Sequence, residues 1–399
     1  MPTLFLCGDV MTGRGIDQIL AYPCPPVIQE PYVRDARDYV ALAEEANGRI
    51  AHPVAPGYIW GDALAELERV APDARIINLE TSITTCDDFW PGKGIHYRMH
   101  PRNVDCLTAA AVDVCVLANN HVLDYGRAGL DETIATLIEA GLKITGAGAL
   151  IREAREPAIV DLSANGRILV FAVGTENSGI PRTWAASAAS SGVDLLPDLS
   201  DATADDLLNR VRGRKRQGDV AVVSIHWGDN WGYEVPDAHV RFAHRLLDGG
   251  VDLIHGHSSH HPRPVEIYRL VLYGCGDFIT RTRRHPRCFS GAIGGLICPK
   301  RQQLNAHERP SEPDARRPRR QARLSAKRCT TSARASMGPG PRSRRSRSAS
   351  RRRDGPASTS RPHRRRPSPP PSGAQSTRAA PPDVERAPRL GARAPSAAH

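Results

Sequence analysis

No two of the nine cysteines stand in a CxxC arrangement. A cysteine-built structural zinc site is therefore not expected. Several cysteines sit inside apolar runs, Cys7 in "TLFLCGD" and Cys115 in "VCVLA", as free buried thiols do in a reducing compartment. The first ten residues, "MPTLFLCGDV", lack the basic region and the apolar core of a secretory signal. No stretch approaches the ~20 apolar residues that a membrane-spanning helix needs. These absences lead to the expectation of a cytoplasmic protein without a membrane span. Lysine is scarce as well, and arginine carries almost all of the positive charge.

The net charge of +11 hides two unlike segments. Residues 299–399 hold 26 Lys+Arg and 6 Asp+Glu, a net of +20. The remaining 28 basic and 37 acidic residues give residues 1–298 a net of −9. The basic segment is built of stretches such as "PRSRRSRSASRRR" and "RPHRRRPSPPPSG", nearly devoid of aliphatic residues. Such a composition cannot offset the entropy of ordering, so 299–399 is expected to be a disordered Arg/Pro/Ser-rich tail and 1–298 the folded domain. Three readings of the tail stay open: a nucleic-acid-binding arm, an extension without a specific role, or a frameshift product of GC-rich DNA with its break just after Phe278. Nucleic acid is a partner only through this tail.

Within 1–298 short apolar strands alternate with helical patterns. The strands read as 3–8, 74–83, 114–118, 143–148, 219–228 and 251–257. The helices read as 32–48, 103–111, 127–141, 204–216 and 236–250. "PAIVDL" and "RILVFAVG" flank Asn165-Gly166, a hairpin signal. This is an α/β pattern, and ligands of open α/β sheets gather at the carboxyl ends of the strands. Core strands here end in Asp9, Glu80, Asn120-His121 and His226, and a further one ends in "HGHSSHH", 255–261.

Carboxylate, amide oxygen and imidazole suit Zn, Mn, Fe or related divalent ions. Asp9, Glu80, Asn120, His226, His257 and His260 are such groups, and either Glu80 or Asp9 could bridge two ions. His121 is free for proton transfer, with Asp124 three residues on to hold its other ring nitrogen. Each residue has a bland reading too. Asp9 after Gly8 suits a turn or helix cap, Asn119 and Asn120 are turn formers, and His226 could be a core histidine. Trp227, Trp231 and Tyr233 stand beside His226 and serve equally well as a substrate wall or as core. Trp227, Trp231 and Arg14 are the candidate substrate-binding residues.

The segment "NNHVLDYG" resembles the Asn-His-x-x-Asp-Tyr-Gly stretch of nucleotidases in the calcineurin-like metallophosphoesterase superfamily. The full order is "GDVMTGR" (8–14), "INLETSI" (77–83), "LANNHVLDYG" (117–126), "SIHWGDNWGYEVP" (224–236), "IHGHSSHHPRPVE" (254–266) and "LYGCGDFI" (272–279). Taken together it more closely resembles the CapA family of bacterial capsule-synthesis and poly-γ-glutamate proteins, over residues 3–279. The resemblance implies a four-layer, metallophosphatase-like sandwich of two mixed sheets flanked by helices. By the superfamily pattern, Asn120, His226 and His257 would bind one ion, Asp9 and His260 another, and Glu80 would bridge. His121 and Asp124 would form the proton-transfer dyad. Two departures stand out: the Asp-x-His opening is "GDVM" here, and Glu80 replaces a second Asp.

The leading expectation is a CapA-like protein with one or two divalent ions, associated with capsule or poly-γ-glutamate synthesis. It would act as a phosphoesterase-like hydrolase, a metal-bound hydroxide attacking and His121 protonating the leaving oxygen. A metal-dependent epimerase of peptides or amino acids uses the same parts. A non-catalytic accessory protein holding an anionic polymer is the reading outside enzymes. The expected partner is accordingly a small molecule, a peptide or an anionic polymer.

Overall fold

The computed structural model describes residues 2–162, 166–267 and 269–280, with the backbone of 296 and 297. The expected tail, 299–399, lies outside the described residues, as does the break expected after Phe278 from residue 281 on, apart from that backbone pair.

Two sheets carry the fold. The first contains β1 (Leu4–Val10), β2 (Ala74–Leu79), β3 (Val114–Val116) and β4 (Lys143–Thr145). The second contains β5 (Ala158–Asp161), β6 (Arg167–Gly174), β7 (Val220–His226), β8 (Leu253–His257), β9 (Val265–Glu266) and β10 (Val271–Leu272). The last long-range addition, β11 (Asp277–Ile279), returns to the first sheet. The orders are β11-β1-β2-β3-β4 and β9-β10-β8-β7-β6-β5. All pairs along the first order are parallel, and Leu296–Ile297 adds an antiparallel pair to β1. The second sheet is parallel inside and antiparallel at both edges, so both sheets are mixed. The hairpin expected at Asn165-Gly166 is present as the β5–β6 pair; Asn165 itself lies outside the described residues.

Period-2 alternation explains the layering. In β1, Leu4 and Leu6 join Ile76, Val114 and Val116 against Ile168, Val170 and Val222 of the second sheet, forming the core between the sheets. Phe5 and Cys7 face the other way, toward Leu107 of α1 (Asp105–Thr108) and Leu130 and Leu137 of α2 (Gly126–Glu139). On the far side, Leu169, Phe171, Val223 and Ile225 pack on α3 (Asp201–Arg214) and α4 (Asp237–Asp248). The helix α4 buries His239, Phe242, Ala243 and Leu246, the i, i+3, i+4, i+7 stripe of a one-sided helix. The chain is thus an α/β sandwich of four layers: helices, sheet, sheet, helices.

Some expected elements differ. The strand expected over 143–148 ends at Thr145; Gly146 takes a φ of 89°, and Ala147–Gly148 pairs with Gly192–Val193 outside the two main sheets. The helix expected over 103–111 shrinks to Asp105–Thr108, because Ala111 takes a left-handed φ of 48° and turns the chain into β3. The strand expected over 74–83 breaks after Leu79. The Glu80 amide donates to the Val10 carbonyl at 3.0 Å, and Ser82–Ile83 leaves to pair with Arg98–Met99.

Candidate metal centre

The carboxyl ends of β1, β7 and β8 meet. Asp9 sits at a bulge in β1, where pairing with β2 skips Gly8. Bulges re-aim a side chain at the cost of one ladder position. Gly8 is needed for a second reason: a Cβ there would lie 1.9 Å from the Gly276 carbonyl oxygen. That close approach lets β11 run beside β1 with Asp277 in register with Asp9. From the second sheet, His226 and His257 end β7 and β8 in register with each other.

These residues form two overlapping groups. Asp9, His226 and His257 bring one ligand atom each to within 4.8 Å of one another, and so do Asp9, His260 and Asp277. Asp9 is common to both. One of its carboxylate oxygens accepts from the Asn78 amide at 2.8 Å. The other, Oδ2, is buried, and no N–H donor among the described residues reaches it; Glu80 lies close enough to share a hydrogen bond with Asp9 when one of the two carboxyls carries a proton. Burial, then the charge of Asp277, pushes the Asp9 carboxyl up to about 6. Burial and the charge of Asp9 also raise Glu80 well above the usual carboxylate range. Three crowded carboxyl groups, faced by imidazoles, fit a divalent cation by donor chemistry.

The histidines are held individually. His226 Nδ1 lies 2.8 Å from His257 Nδ1, and His226 Nε2 lies 3.2 Å from Asn120 Oδ1. Burial holds both rings well below the ordinary imidazole pKa, and each also feels a second histidine. His260 pairs with Asp277 at 2.7 Å. Burial opposes its protonation, but the hydrogen bond and charge of Asp277 prevail and raise its pKa. Ser258, between these ligands, has φ 99°, a strained value for a residue with a side chain. Such strain persists only where the surroundings fix it, and the Ser258 hydroxyl donates to the Gly228 carbonyl at 2.9 Å.

Asn119 steers the loop after β3. Its amide donates to Asn78 Oδ1 at 3.0 Å and to the Leu79 carbonyl at 2.8 Å, while its Oδ1 accepts from the His121 amide at 3.1 Å. The bland turn-former reading of Asn119 thus describes part of its work. His121 Nδ1 lies 2.6 Å from Asp124 Oδ2, so the ring donates Nδ1–H to the carboxylate. Its Nε2 faces Glu80 Oε1 at 3.9 Å. Burial, opposed by Asp124, brings the His121 pKa down to about 4. Lys93 donates to Asp124 Oδ1 and to the Asn120 carbonyl, and the Tyr97 amide donates to Asp124 Oδ2 at 2.7 Å.

The family model for the bacterial capsule synthesis protein PGA_cap matches residues 3–282. The chain belongs to this family. Among its relatives is the probable polyglutamine synthesis accessory protein of Mycobacterium tuberculosis (strain H37Rv), 52% identical over 280 residues, covering 69% of this chain and 74% of that protein. The PGA biosynthesis protein CapA of Bacillus subtilis (strain 168) is 30% identical over 198 residues, 48% of this chain and 50% of that one.

In this PGA_cap chain the site gathers Asp9, Glu80, Asn120, His121, Asp124, His226, His257 and His260 around one place. The candidate substrate residues separate. Trp227 is fully buried, stacked 4.4 Å from His239, with its indole N–H donated to the Tyr273 carbonyl at 3.0 Å. It belongs to the core and has no face to offer a substrate. Arg14 is also buried, ion-paired with Glu30 and lying 4.6 Å above the Tyr97 ring, which itself packs 4.3 Å from His121. Its guanidinium reaches His121 only through the Tyr97 ring that lies between them in contact. Trp231 is 59% exposed, with its ring 5.4 Å from His260.

Sequence reasoning missed Asp277 and Lys93 as site residues. The signal for Asp277 was an echo: Cys7-Gly8-Asp9 recurs as Cys275-Gly276-Asp277, and the two copies lie side by side. Lys93 carried a weaker one, a rare lysine in the turn Pro91-Gly92-Lys93-Gly94.

Proposed function

We propose that this chain is a divalent-metal-dependent hydrolase of the phosphoesterase type, acting in capsule or polyglutamate synthesis. The observation that carries the reading is Asp9, a buried carboxylate crowded by Glu80 and Asp277 and common to two groups of ligand atoms. Asp9, His226 and His257, with Asn120, would hold one ion; Asp9, His260 and Asp277 would hold a second, with Glu80 at their side. Zn, Mn or Fe ions in those places would supply Lewis acidity toward a phosphoryl or carbonyl oxygen. The chain's own residues do the rest. His121 exchanges a proton at Nε2, its ring oriented by Asp124, which is itself held by Lys93 and the Tyr97 amide. Trp231 offers an exposed ring at the rim, suited to an apolar or planar part of a substrate.

We place the protein in the cytoplasm, on its buried free thiols. No helix among the described residues is long and apolar enough to cross a membrane. The folded domain is proposed to span 1–298, with 299–399 as a separate tail. A second reading comes from the word "accessory" in the name of the mycobacterial relative. In it, the same centre holds an anionic polymer without turning it over. Metal analysis of the purified full chain, followed by assays on phosphoesters, γ-glutamyl polymers and peptides, separates the readings. Bound divalent metal with phosphoester turnover is the expected result. Metal with polymer binding but no turnover supports the accessory role, and a chain that takes up no divalent ion overturns both.

A further inference from the structure

Of the four histidines in "HGHSSHH", His255 has no place in the centre described above. It is fully buried, and its two ring nitrogens face the Cys7 carbonyl and the Ser224 hydroxyl, with no acidic partner among the described residues. Its Nε2 lies 2.9 Å from the Cys7 carbonyl oxygen, an acceptor only, so that nitrogen carries the proton. A neutral ring then leaves His255 Nδ1 as an acceptor, and the partner there is the Ser224 hydroxyl at 3.0 Å. Ser224 has one proton, and it is committed to His255. Its oxygen must therefore accept from its other neighbour, His257 Nε2, at 2.9 Å. That assigns the proton of His257 to Nε2 and leaves Nδ1 bare. The bare nitrogen is the one that faces His226 at 2.8 Å.

We propose that Ser224 and His255 are positioning residues that lock His257 in the tautomer with an unprotonated Nδ1, the form a metal ligand requires. Every bond in the relay points the same way, from His257 through Ser224 and His255 to the backbone of β1. It also ties the two sheets together, because the terminal acceptor Cys7 belongs to the first and the other three residues to the second. With the relay set, His226 can donate Nδ1–H to His257 in the metal-free chain. It can instead carry its proton on Nε2 toward Asn120, which turns two bare nitrogens toward one point. The metal-binding role rests on the function proposed above; the tautomer does not.

The test has two arms. Long-range proton–nitrogen correlation spectra of the metal-free full chain, labelled on histidine, report which ring nitrogen is protonated. His257 should show Nε2–H and a bare Nδ1, with its signals assigned by their loss in His257→Gln. A protonated Nδ1 overturns the proposal whatever the metal data show. In the second arm, Co²⁺ or Zn²⁺ affinity is measured for wild type, Ser224→Ala and Ser224→Thr. Loss of the hydroxyl should weaken binding about 10–100-fold, the usual range for a lost outer-shell partner, and threonine should restore most of it. Wild-type affinity in a folded Ser224→Ala overturns the positioning role. Should wild type bind neither ion, the function proposed above falls and the spectra alone decide the relay.

Discussion

The two sides of the centre are built on opposite principles. The histidine side, at the ends of β7 and β8, is satisfied: each ring nitrogen has a neighbour, and a relay runs to the Cys7 carbonyl. The carboxylate side, at β1 and β11, is not: Asp9 is buried against two other carboxyls, Glu80 and Asp277, and shares with Glu80 a hydrogen bond that needs a proton on one of the pair. One side is organised as neutral groups, and the other crowds carboxyl groups whose like charge a proton or a bound cation relieves. Together the two sides offer imidazole nitrogen and carboxylate oxygen, the mixed donor set that suits a divalent transition metal.

The largest effect that separates the sides is expected at Asp9. Asp9→Ala removes the ligand common to both groups, and metal content should fall to background. His260→Ala should spare the group formed by Asp9, His226 and His257. Elemental analysis after dialysis against trace divalent ion checks this; equal losses in both variants would mean the groups are not independent.

Next in size is the proton-transfer side chain. His121→Ala should leave metal content nearly intact and lower turnover about 100-fold or more, the scale for losing a general acid or base. Asp124→Asn should cost less, because Nε2 remains and only its orientation suffers. Kinetics with the first substrate found, alongside metal analysis, decide the matter. Metal loss in His121→Ala would make His121 a ligand.

The smallest effect is on stability, and there the sides oppose each other. The folded-state pKa of Asp9 is raised to about 6, so its contribution is present below the ordinary carboxylate pKa and lost as pH rises through 6. His226 and His257 are depressed, so their contribution is present above the ordinary imidazole pKa and lost as pH falls. In chelator, Asp9→Asn should raise Tm at pH 7.5 by a few degrees and change it little at pH 4. Divalent ion should raise the wild-type Tm at pH 7.5. A Tm in Asp9→Asn that matches wild type at pH 7.5 would show that the carboxylate side stores no strain.

Much of this was legible beforehand. The layers follow from alternation in β1 and the apolar stripe of α4, both local patterns. The meeting of the candidate residues was legible because strand ends in an α/β sheet converge, so polar residues at successive ends had one place to go. What escaped depends on long-range register or on loops. Asp277 opens a strand instead of closing one, and only its pairing with Asp9 brings it in. Lys93 comes from a turn whose path no periodicity describes. Trp227 was ambiguous because the residue after a strand-ending ligand can turn to either face, and its stacking on His239 settles the side.

The crossing of Gly8 and Gly276 has a kinetic consequence. β1 finds β2 early, but its other edge waits for β11, which nearly the whole folded region separates from it. Closing so long a loop costs little extra stability, about 0.6 kcal/mol per doubling of length, but non-local pairings slow folding. On the ribosome, Asp9 therefore emerges first and waits longest for its partner Asp277. Until that strand docks, Asp277 is missing from the second group of candidate ligands.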